Sequence, residues 1–179
     1  MSTDLLGMKV RRLRSTDSFE ELTHLLHRAY APLAAAGMRF FATHQTVRDT
    51  KDRALLGECY VIDDGKRLLG TITLKHPARA GASPGRVSLY NRPDVCVFNQ
   101  LGVEPSLKGR GLGRLLMETV EKRAVNLGAR GIACDTAETA EELRATYERR
   151  GFVFAEHVQW DETNYRSVVL VKWFDSAVS

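Results

Sequence analysis

The 179-residue sequence contains no run that approaches the ~20 consecutive apolar residues of a membrane-spanning helix. Its first residues include Asp4 and lack a long apolar core, so we expect no secretion signal there. Hydrophobic residues form 44% and charged residues 27% of the chain, which is typical of a soluble globular protein. We therefore expect a cytoplasmic protein that folds as one domain over residues 1–179, with residues 1–7 as a loose tail and no membrane partner.

Cysteine and histidine are scarce and are not spaced as metal ligands. The three cysteines, Cys59, Cys96 and Cys134, are odd in number and far apart, and each lies in an apolar run. Buried thiols on strands explain them better than a disulfide framework does. The five histidines show no ligand spacing on a common face, and we therefore predict that the protein binds no metal.

The sequence also lacks any Lys/Arg run with interleaved aromatic residues. Its net charge of +4 and its pI near 9.1 weakly permit nucleic acid binding. The positive residues are spread through the chain, and an anionic cofactor explains a modest excess of positive charge equally well. A nucleic-acid-binding domain rests on the pI alone, and we predict no nucleic acid partner.

Glycine, in contrast, is concentrated in one segment. Gly109, Gly111 and Gly113 occupy every second position after Lys108, which allows a tight turn and leaves the backbone amides uncovered. Gly128 is a typical stop for the helix that follows this turn. One apolar face of that helix is formed by Leu112, Leu115, Leu116, Val120, Ala124 and Leu127.

A glycine-rich turn that opens a helix directs free N–H groups and the positive end of the helix dipole at one spot. Lys108, Arg110 and Arg114 add positive charge around it, which predicts a receptacle for a phosphate or pyrophosphate. The segment lacks the Lys-Ser/Thr end of a P-loop, and its third glycine comes one residue too early for the dinucleotide fingerprint. A flexible loop before a surface helix is the plain alternative.

Hydrophobic periodicity divides the chain into strands and helices. A period of two predicts strands over residues 8–14, 59–62, 68–75, 94–101, 130–135, 152–160 and 167–174. A helical period predicts one helix capped by Asp17 and others over residues 47–56, 112–127 and 138–150. This order of elements predicts an α+β fold with a mixed sheet and helices on its faces.

A second signature, Tyr-Glu-Arg-Arg-Gly-Phe at residues 147–152, ends the last predicted helix. Ala140, Leu143 and Tyr147 share the inner face of that helix, so a core aromatic is the plain interpretation of Tyr147. The Lys-Gly-Arg-Gly-Leu-Gly turn with its helix, the next strand and the Tyr-x-x-x-Gly-Phe ending together resemble the GNAT superfamily of acyl-CoA-dependent N-acetyltransferases. The resemblance spans residues 58–174 in element order and is sharpest over residues 101–152.

The resemblance implies a mostly antiparallel sheet of about six or seven strands flanked by helices. It also implies an enzyme that transfers an acetyl group from acetyl-CoA to a primary amine of a small molecule, protein or peptide. Tyr147 would protonate the departing CoA thiolate, and an amide at the end of the central strand would polarise the thioester carbonyl. The cofactor-binding residues would be Leu101 and Val103 for the pantetheine arm and Lys108, Gly109, Arg110, Gly111, Leu112, Gly113 and Arg114 for the pyrophosphate.

The sequence departs from the usual GNAT pattern in three places. The first position of the glycine motif, commonly Gln or Arg, is Lys108, and the position seven residues before the tyrosine, often Asn, is Ala140. The strand before the motif, where many members keep a glutamate base, reads Val-Cys-Val-Phe-Asn-Gln over residues 95–100. Ala140 and the missing glutamate favour the alternative of a catalytically idle acyl-CoA-binding sensor or structural module, whereas Tyr147 opposes it.

The identity of the general base and the shape of the acceptor pocket are left open at this stage. A water chain held by Asn99 or Gln100 would suffice for an α-amine, and the other candidate bases are Asp94, His44, His76 and Asp135.

Residues 30–45, 77–92 and 160–167 are expected to shape the acceptor pocket. Within the first segment, a set of side chains either packs on the core or walls that pocket: Met38, Phe40, Phe41 and His44. A homodimer is also left open.

Overall fold

A computed structural model describes residues 8–175, so the predicted tail at residues 1–7 lies outside the described residues. Within this range, seven strands and four α-helices follow one another. The strands are β1 (Val10–Arg12), β2 (Glu58–Asp63), β3 (Leu68–Lys75), β4 (Val95–Val103), β5 (Gly131–Ala137), β6 (Val153–Val158) and β7 (Ser167–Trp173). The helices are α1 (Phe19–Ala35), α2 (Val47–Leu55), α3 (Leu112–Asn126) and α4 (Glu141–Arg149). None of the described helices is long and apolar enough to cross a bilayer.

The strands form one sheet in the order β1-β2-β3-β4-β5-β7-β6. All neighbours are antiparallel except β4 and β5, which are parallel. This confirms the predicted mixed, mostly antiparallel sheet. The parallel pair is short, because Val95–Val97 of β4 match Gly131–Ala133 of β5 while both strands continue further. Beyond this point the two strands diverge and leave a gap in the middle of the sheet.

Both faces of the sheet are buried against helices. In β2, Tyr60 and Ile62 belong to the core that contains the apolar face of α3. Cys59 and Val61 alternate with them and pack with residues of α1 on the other face. The alternation follows from the two-residue period of a strand and explains why β2 and β3 are buried along nearly their whole length. The three cysteines are free, buried thiols in β2, β4 and β5, as predicted.

Two helix starts differ from the prediction. The N-cap of α1 is Ser18, whose Oγ accepts a hydrogen bond from the Glu21 amide at 3.1 Å, and not Asp17. The Asp17 carboxylate instead accepts hydrogen bonds from Arg11 Nη1 and Nη2 at 2.7 and 2.9 Å, a contact between strand and loop that local pattern does not reveal. Helix α4 begins at Glu141 rather than near residue 138, because the Glu138 amide still donates to Arg166 O at 2.9 Å beside the β5–β7 ladder.

A buried carboxylate, Glu58, joins the sheet to α3. It accepts hydrogen bonds from Arg123 Nε and Nη2 at 2.9 Å each and from the Tyr60 hydroxyl at 2.7 Å. His76 Nε2 and Arg12 Nη1 lie 3.0 and 3.1 Å from its two oxygens. These contacts, with the Arg123 hydrogen bonds the largest cause, hold the pKa of Glu58 far below its usual range.

We predict that Glu58→Gln lowers the free energy of unfolding at pH 7 by about 2 kcal/mol, because hydrogen bonds to a charged group are worth this much. A carboxylate whose pKa is depressed by folding stabilises the native state above its unfolded pKa, which is about 4.3, and loses that contribution as pH falls. The melting temperature should therefore fall less between pH 7 and pH 3 in the variant than in the wild type. The control is Glu148→Gln, since exposed Glu148 lies 3.8 Å from Arg144; equal effects of the two changes would contradict the prediction.

Candidate active site

The divergence of β4 and β5 opens a cavity of about 340 Å³. The residues that follow the paired segment line it from both strands, as Phe98 and Asn99 on β4 and as Cys134 and Asp135 on β5. The last turn of α4 contributes Tyr147 to the same wall. The cavity therefore lies where β4 and β5 separate, between the two halves of the sheet.

A bulge in β4 shapes one side of this cavity. Gln100 has a φ of +52°, and the register between β3 and β4 slips by one residue between the pairs Thr73–Asn99 and Thr71–Gly102. The Gln100 side chain is buried, accepting a hydrogen bond from Gln45 Nε2 at 2.8 Å and approaching Thr73 Oγ1 at 3.4 Å. Such a bulge bends the strand and changes where its backbone groups point.

Beyond the bulge, the backbone of Leu101 and Val103 faces the cleft. The Glu104 amide donates to Leu69 O at 2.8 Å, and Gly102 is matched with Thr71. Gly102 and Glu104 therefore point their N–H and C=O groups toward β3, since alternate residues of an antiparallel strand face the same neighbour. Leu101 and Val103 must then point away from β3, toward the side where β5 has separated. The Leu101 carbonyl already accepts a hydrogen bond from the Tyr30 hydroxyl at 2.8 Å.

The glycine turn after β4 has the backbone geometry that its sequence predicts. Gly109 and Gly111 have φ values of +81° and +87°, which only glycine adopts readily, and no atom lies within 4 Å of where a Cβ would stand. Gly111 is the N-cap of α3, and no side chain caps the helix. Among residues 8–175, none accepts a hydrogen bond from the amides of Gly111, Leu112 or Gly113. The turn thus presents uncovered donors above open space, which fits a pyrophosphate.

The basic side chains of this turn lie at its surface. Lys108, Arg110 and Arg114 are all exposed. Arg114 Nε donates to Glu118 Oε1 at 2.7 Å, one helical turn along α3. The charge of Arg114 is therefore partly neutralised within the helix. The donors whose position is fixed by the backbone of the turn are the amides.

Tyr147 is both a core residue and a cavity residue. Its ring packs 5.9 Å from Phe98 and 5.7 Å from Phe152, measured between ring centroids. No described residue makes a hydrogen bond with its phenol oxygen, although the side chain lines the cavity. Burial raises the pKa of this phenol well above its usual value, so Tyr147 stays neutral and can donate a hydrogen bond into the cavity.

Of the four candidate bases, Asp135 lies in the cavity wall. Asp94 is hydrogen-bonded to Arg92 at 2.7 and 2.8 Å outside the cavity, and His76 contacts Glu58 in the cluster described above. His44 packs edge-on against the Phe41 ring and does not line the cavity. The structure therefore leaves Asp135 as the candidate that an acceptor amine can reach.

The carboxylate of Asp135 is held by two neutral donors. Its Oδ1 accepts a hydrogen bond from the Tyr90 hydroxyl at 2.7 Å, and its Oδ2 accepts one from Trp160 Nε1 at 2.8 Å. Each carboxylate oxygen can accept more than one hydrogen bond, so Asp135 retains the capacity to bind an ammonium. Tyr90 and Trp160 lie in two of the segments that the sequence predicts to shape an acceptor pocket.

The two amides proposed to hold a water chain have different surroundings. Gln100 lines the cavity, but its side chain is buried and already contacts Gln45 at 2.8 Å and Thr73 at 3.4 Å. Asn99 lines the cavity, and its Oδ1 is buried without a hydrogen-bond partner among the described residues. Of the two, Asn99 is the side chain that fits this role.

The predicted acceptor segment at residues 30–45 is divided between core and cavity. Phe40 and Phe41 line the cavity, whereas Met38 packs beside Phe40 in a separate apolar cluster. Ala140, at the position often held by Asn in the family, is buried in that same cluster. The segment therefore contributes to both core and cavity, and its role in an acceptor pocket stays a prediction.

Sequence reasoning missed two cations of the cavity wall. Arg53 comes from α2 and Lys75 from the end of β3, and both are half-buried. Neither lies in a motif, and no local signal marks them, because they reach the cavity only through the packing of elements distant in the chain. Among residues 8–175, no group of three His, Cys, Asp or Glu side chains is arranged to hold a metal ion.

Comparison with known proteins agrees with this geometry. Residues 19–152 match the model of the acetyltransferase (GNAT) family. The chain is 32% identical over 149 residues to S-(2-succino)cysteine N-acetyltransferase of Bacillus subtilis (strain 168), covering 82% of this chain and 86% of that protein.

Solved structures share the fold at lower identity. A Pyrococcus horikoshii OT3 protein has a TM-score of 0.72 at 17% identity, covering 95% of this chain and all of that one. The ribosomal-protein-S18-alanine N-acetyltransferase of Escherichia coli has a TM-score of 0.69 at 15% identity, with 95% and 96% covered. A GNAT family acetyltransferase of Elizabethkingia anophelis with acetyl-CoA bound has a TM-score of 0.62 at 12% identity, with 94% and 99% covered. The chain therefore belongs to the GNAT family and is an N-acetyltransferase, an enzyme class whose general reaction is the acetyl-CoA-dependent acetylation of an amine.

Proposed function

We propose that this enzyme uses acetyl-CoA to acetylate the α-amine of a small amino acid bearing additional carboxylates, with S-(2-succino)cysteine as the first candidate. The observation that carries the proposal is the cavity at the strand divergence, whose wall contains both the neutral phenol of Tyr147 and the carboxylate of Asp135. A cavity of about 340 Å³ suits a metabolite. The candidate acceptor comes from the name of the Bacillus subtilis relative.

Acetyl-CoA would supply the activated acetyl thioester, and the residues after β4 fit its binding. The amides of residues 109–114 would bind the pyrophosphate, because several of them are uncovered above open space. Lys108, Arg110 and Arg114 would add positive charge around it. The backbone of Leu101 and Val103 faces the cleft and would pair with the pantetheine arm, although the Leu101 carbonyl is already used by Tyr30.

In this proposal Tyr147 donates a hydrogen bond, and finally its proton, to the sulfur that leaves. The ordinary pKa values of a thiol and a phenol, about 8.5 and 10, make that transfer uphill by ~2 kcal/mol in water. Burial raises the pKa of Tyr147 further. The phenol is thus better suited to stabilise the developing negative charge by hydrogen bonding than to release its proton early.

On the acceptor side, Asp135 would attract the ammonium and orient it. Deprotonating the α-amine of a peptide terminus, with a pKa of about 7.8, costs ~1 kcal/mol at pH 7, whereas a lysine-like amine with a pKa of about 10.4 costs ~4.6 kcal/mol. The α-amine of a free amino acid lies beside its own carboxylate, which favours the charged form, so its cost falls between these two values. The ammonium proton would leave through water near Asn99, which lines the cavity. The second amine proton, released as the amide forms, would restore the phenol of Tyr147 after that phenol has protonated the sulfur.

The experiment is a CoA-release assay with acetyl-CoA and a panel of amines, with the products identified by mass spectrometry. The panel contains S-(2-succino)cysteine, S-ethylcysteine, lysine and a short peptide. We expect the first compound to have the highest kcat/KM and to be acetylated on its α-nitrogen. A preference for the peptide or for the lysine ε-amine would contradict the proposed acceptor. Binding of CoA without acetylation of any amine would instead favour the idle module.

A further inference from the structure

We propose that Arg53 binds a carboxylate of the acceptor and thereby makes the enzyme selective for anionic amino acids; this inference rests on the proposed function. Arg53 lies near the end of α2, is half-buried and lines the cavity. Nothing in the family motifs includes this position. Its surroundings in the structure suggest the role.

The hydrogen-bonding capacity of Arg53 is largely unused. A guanidinium has five N–H donors, and only Nη1 has a partner among the described residues, Gln45 Oε1 at 2.7 Å. Asp135 and Glu162 line the same cavity and are near enough for their charges to act on Arg53, but neither forms an ion pair with it. A guanidinium that is partly withdrawn from water and has unused donors is well placed to bind an anionic group of a ligand.

The guanidinium is also held in place before any ligand binds. Its Cζ lies 5.2 Å from the centroid of the Phe41 ring, which fixes the plane of the group. Its partner Gln45 is fully buried and donates through Nε2 to Thr50 Oγ1 at 2.7 Å and to Gln100 Oε1 at 2.8 Å. Arg53 is therefore connected through Gln45 to the bulge of the central strand, and little side-chain freedom remains to be lost on binding.

The charges that face the cavity complement an amino acid with more than one carboxylate. Lys75 is a second half-buried cation of the wall and makes no ion pair with a described residue. Asp135 provides a negative charge for the ammonium, and Glu162 lies at the exposed rim. Burial also lowers the pKa of Arg53, and a bound carboxylate would offset that loss of hydration. Packing on Phe41 alone explains the aromatic contact of Arg53, but it does not explain why two cations, Arg53 and Lys75, line the cavity without ion-pair partners among the described residues.

The experiment compares Arg53→Gln with Arg48→Gln on three acceptors. Arg48 lies on the same helix, is 90% exposed and has Asp52, at 3.8 Å, as its one ion-pair partner among the described residues, so it is a matched control. The acceptors carry decreasing numbers of carboxylates: S-(2-succino)cysteine, S-ethylcysteine and 2-(ethylthio)ethylamine. We expect Arg53→Gln to lower kcat/KM for S-(2-succino)cysteine by about 10- to 100-fold, as expected for hydrogen bonds to a charged group. The carboxylate-free amine should lose less than about 3-fold, and Arg48→Gln should change none of the three values.

An equal loss on all three acceptors, or no loss on any, would overturn the role of Arg53 while leaving the proposed function intact. Arg53→Lys keeps the charge but not the planar fork and should recover part of the selectivity. Circular dichroism and calorimetric titration with CoA report whether the variants fold. If the wild type acetylates none of the three acceptors, the proposed function fails. Calorimetric binding of S-(2-succino)cysteine to the wild type and to Arg53→Gln then still tests the role of Arg53. Equal binding to the two proteins, or binding to neither, overturns that role.

Discussion

Replacing Tyr147 with phenylalanine is expected to lower kcat about 100-fold while the Kd for CoA changes less than about 3-fold. The phenol lines the cavity without a hydrogen-bond partner among the described residues, so its removal deletes a donor to the leaving sulfur and little else. The ring would remain packed against Phe98 and Phe152, and the fold should be kept. Steady-state kinetics with saturating acceptor, together with calorimetry for CoA, measure the two effects separately.

The control for this change is Tyr165→Phe, because Tyr165 is another phenol of the same wall. Its loss should alter the KM of the acceptor more than kcat. The pH dependence gives a second check: since the pKa of Tyr147 is raised by burial, its ionisation should not reduce kcat at any pH below about 10. Wild-type turnover in Tyr147→Phe would show that the phenol is a core residue and not a proton donor.

Replacing Gly113 with glutamate is expected to weaken CoA binding about 100-fold or more while the protein stays folded. A carboxylate about 5 Å from a bound phosphate charge costs about 3 kcal/mol at an effective dielectric constant of about 20. The same carboxylate in the first turn of α3 favours the helix. Unlike Gly109 and Gly111, Gly113 has no positive φ, and a Cβ there would meet only Val103 Cγ2 at 3.9 Å.

The matched control is Gly113→Ala, which adds the Cβ without the charge. It should keep CoA affinity within about 3-fold and raise the free energy of unfolding by up to about 1 kcal/mol, since alanine favours a helix over glycine. Calorimetric titration with CoA and thermal melts measure both quantities. If Gly113→Glu bound CoA as tightly as Gly113→Ala, the amides of this turn would not be the pyrophosphate site.

The elements that local pattern determines were predicted well. The glycine start of α3, its stop at Gly128 and most of its apolar face follow from residues within a few positions of one another. Leu115 was wrongly assigned to that face, since it is 38% exposed, and Met117 is buried there instead. Strands β2 and β3 lie where the two-residue alternation predicts them. The predicted N-cap of α1 was wrong, because Asp17 pairs with Arg11 of the neighbouring strand β1 and Ser18 is the N-cap instead.

By itself, the sequence determined the family, the order of elements, the glycine turn and the tyrosine at the end of α4, because each depends on short-range periodicity or on a contiguous motif. Only the tertiary structure decided which side chains meet at the divergence of β4 and β5. It placed Asp135 in the cavity, left Asp94 and His76 outside it, and brought Arg53 there from α2. These contacts join residues separated by tens of positions, and they depend on sheet register, the bulge at Gln100 and helix packing, none of which is specified by local pattern.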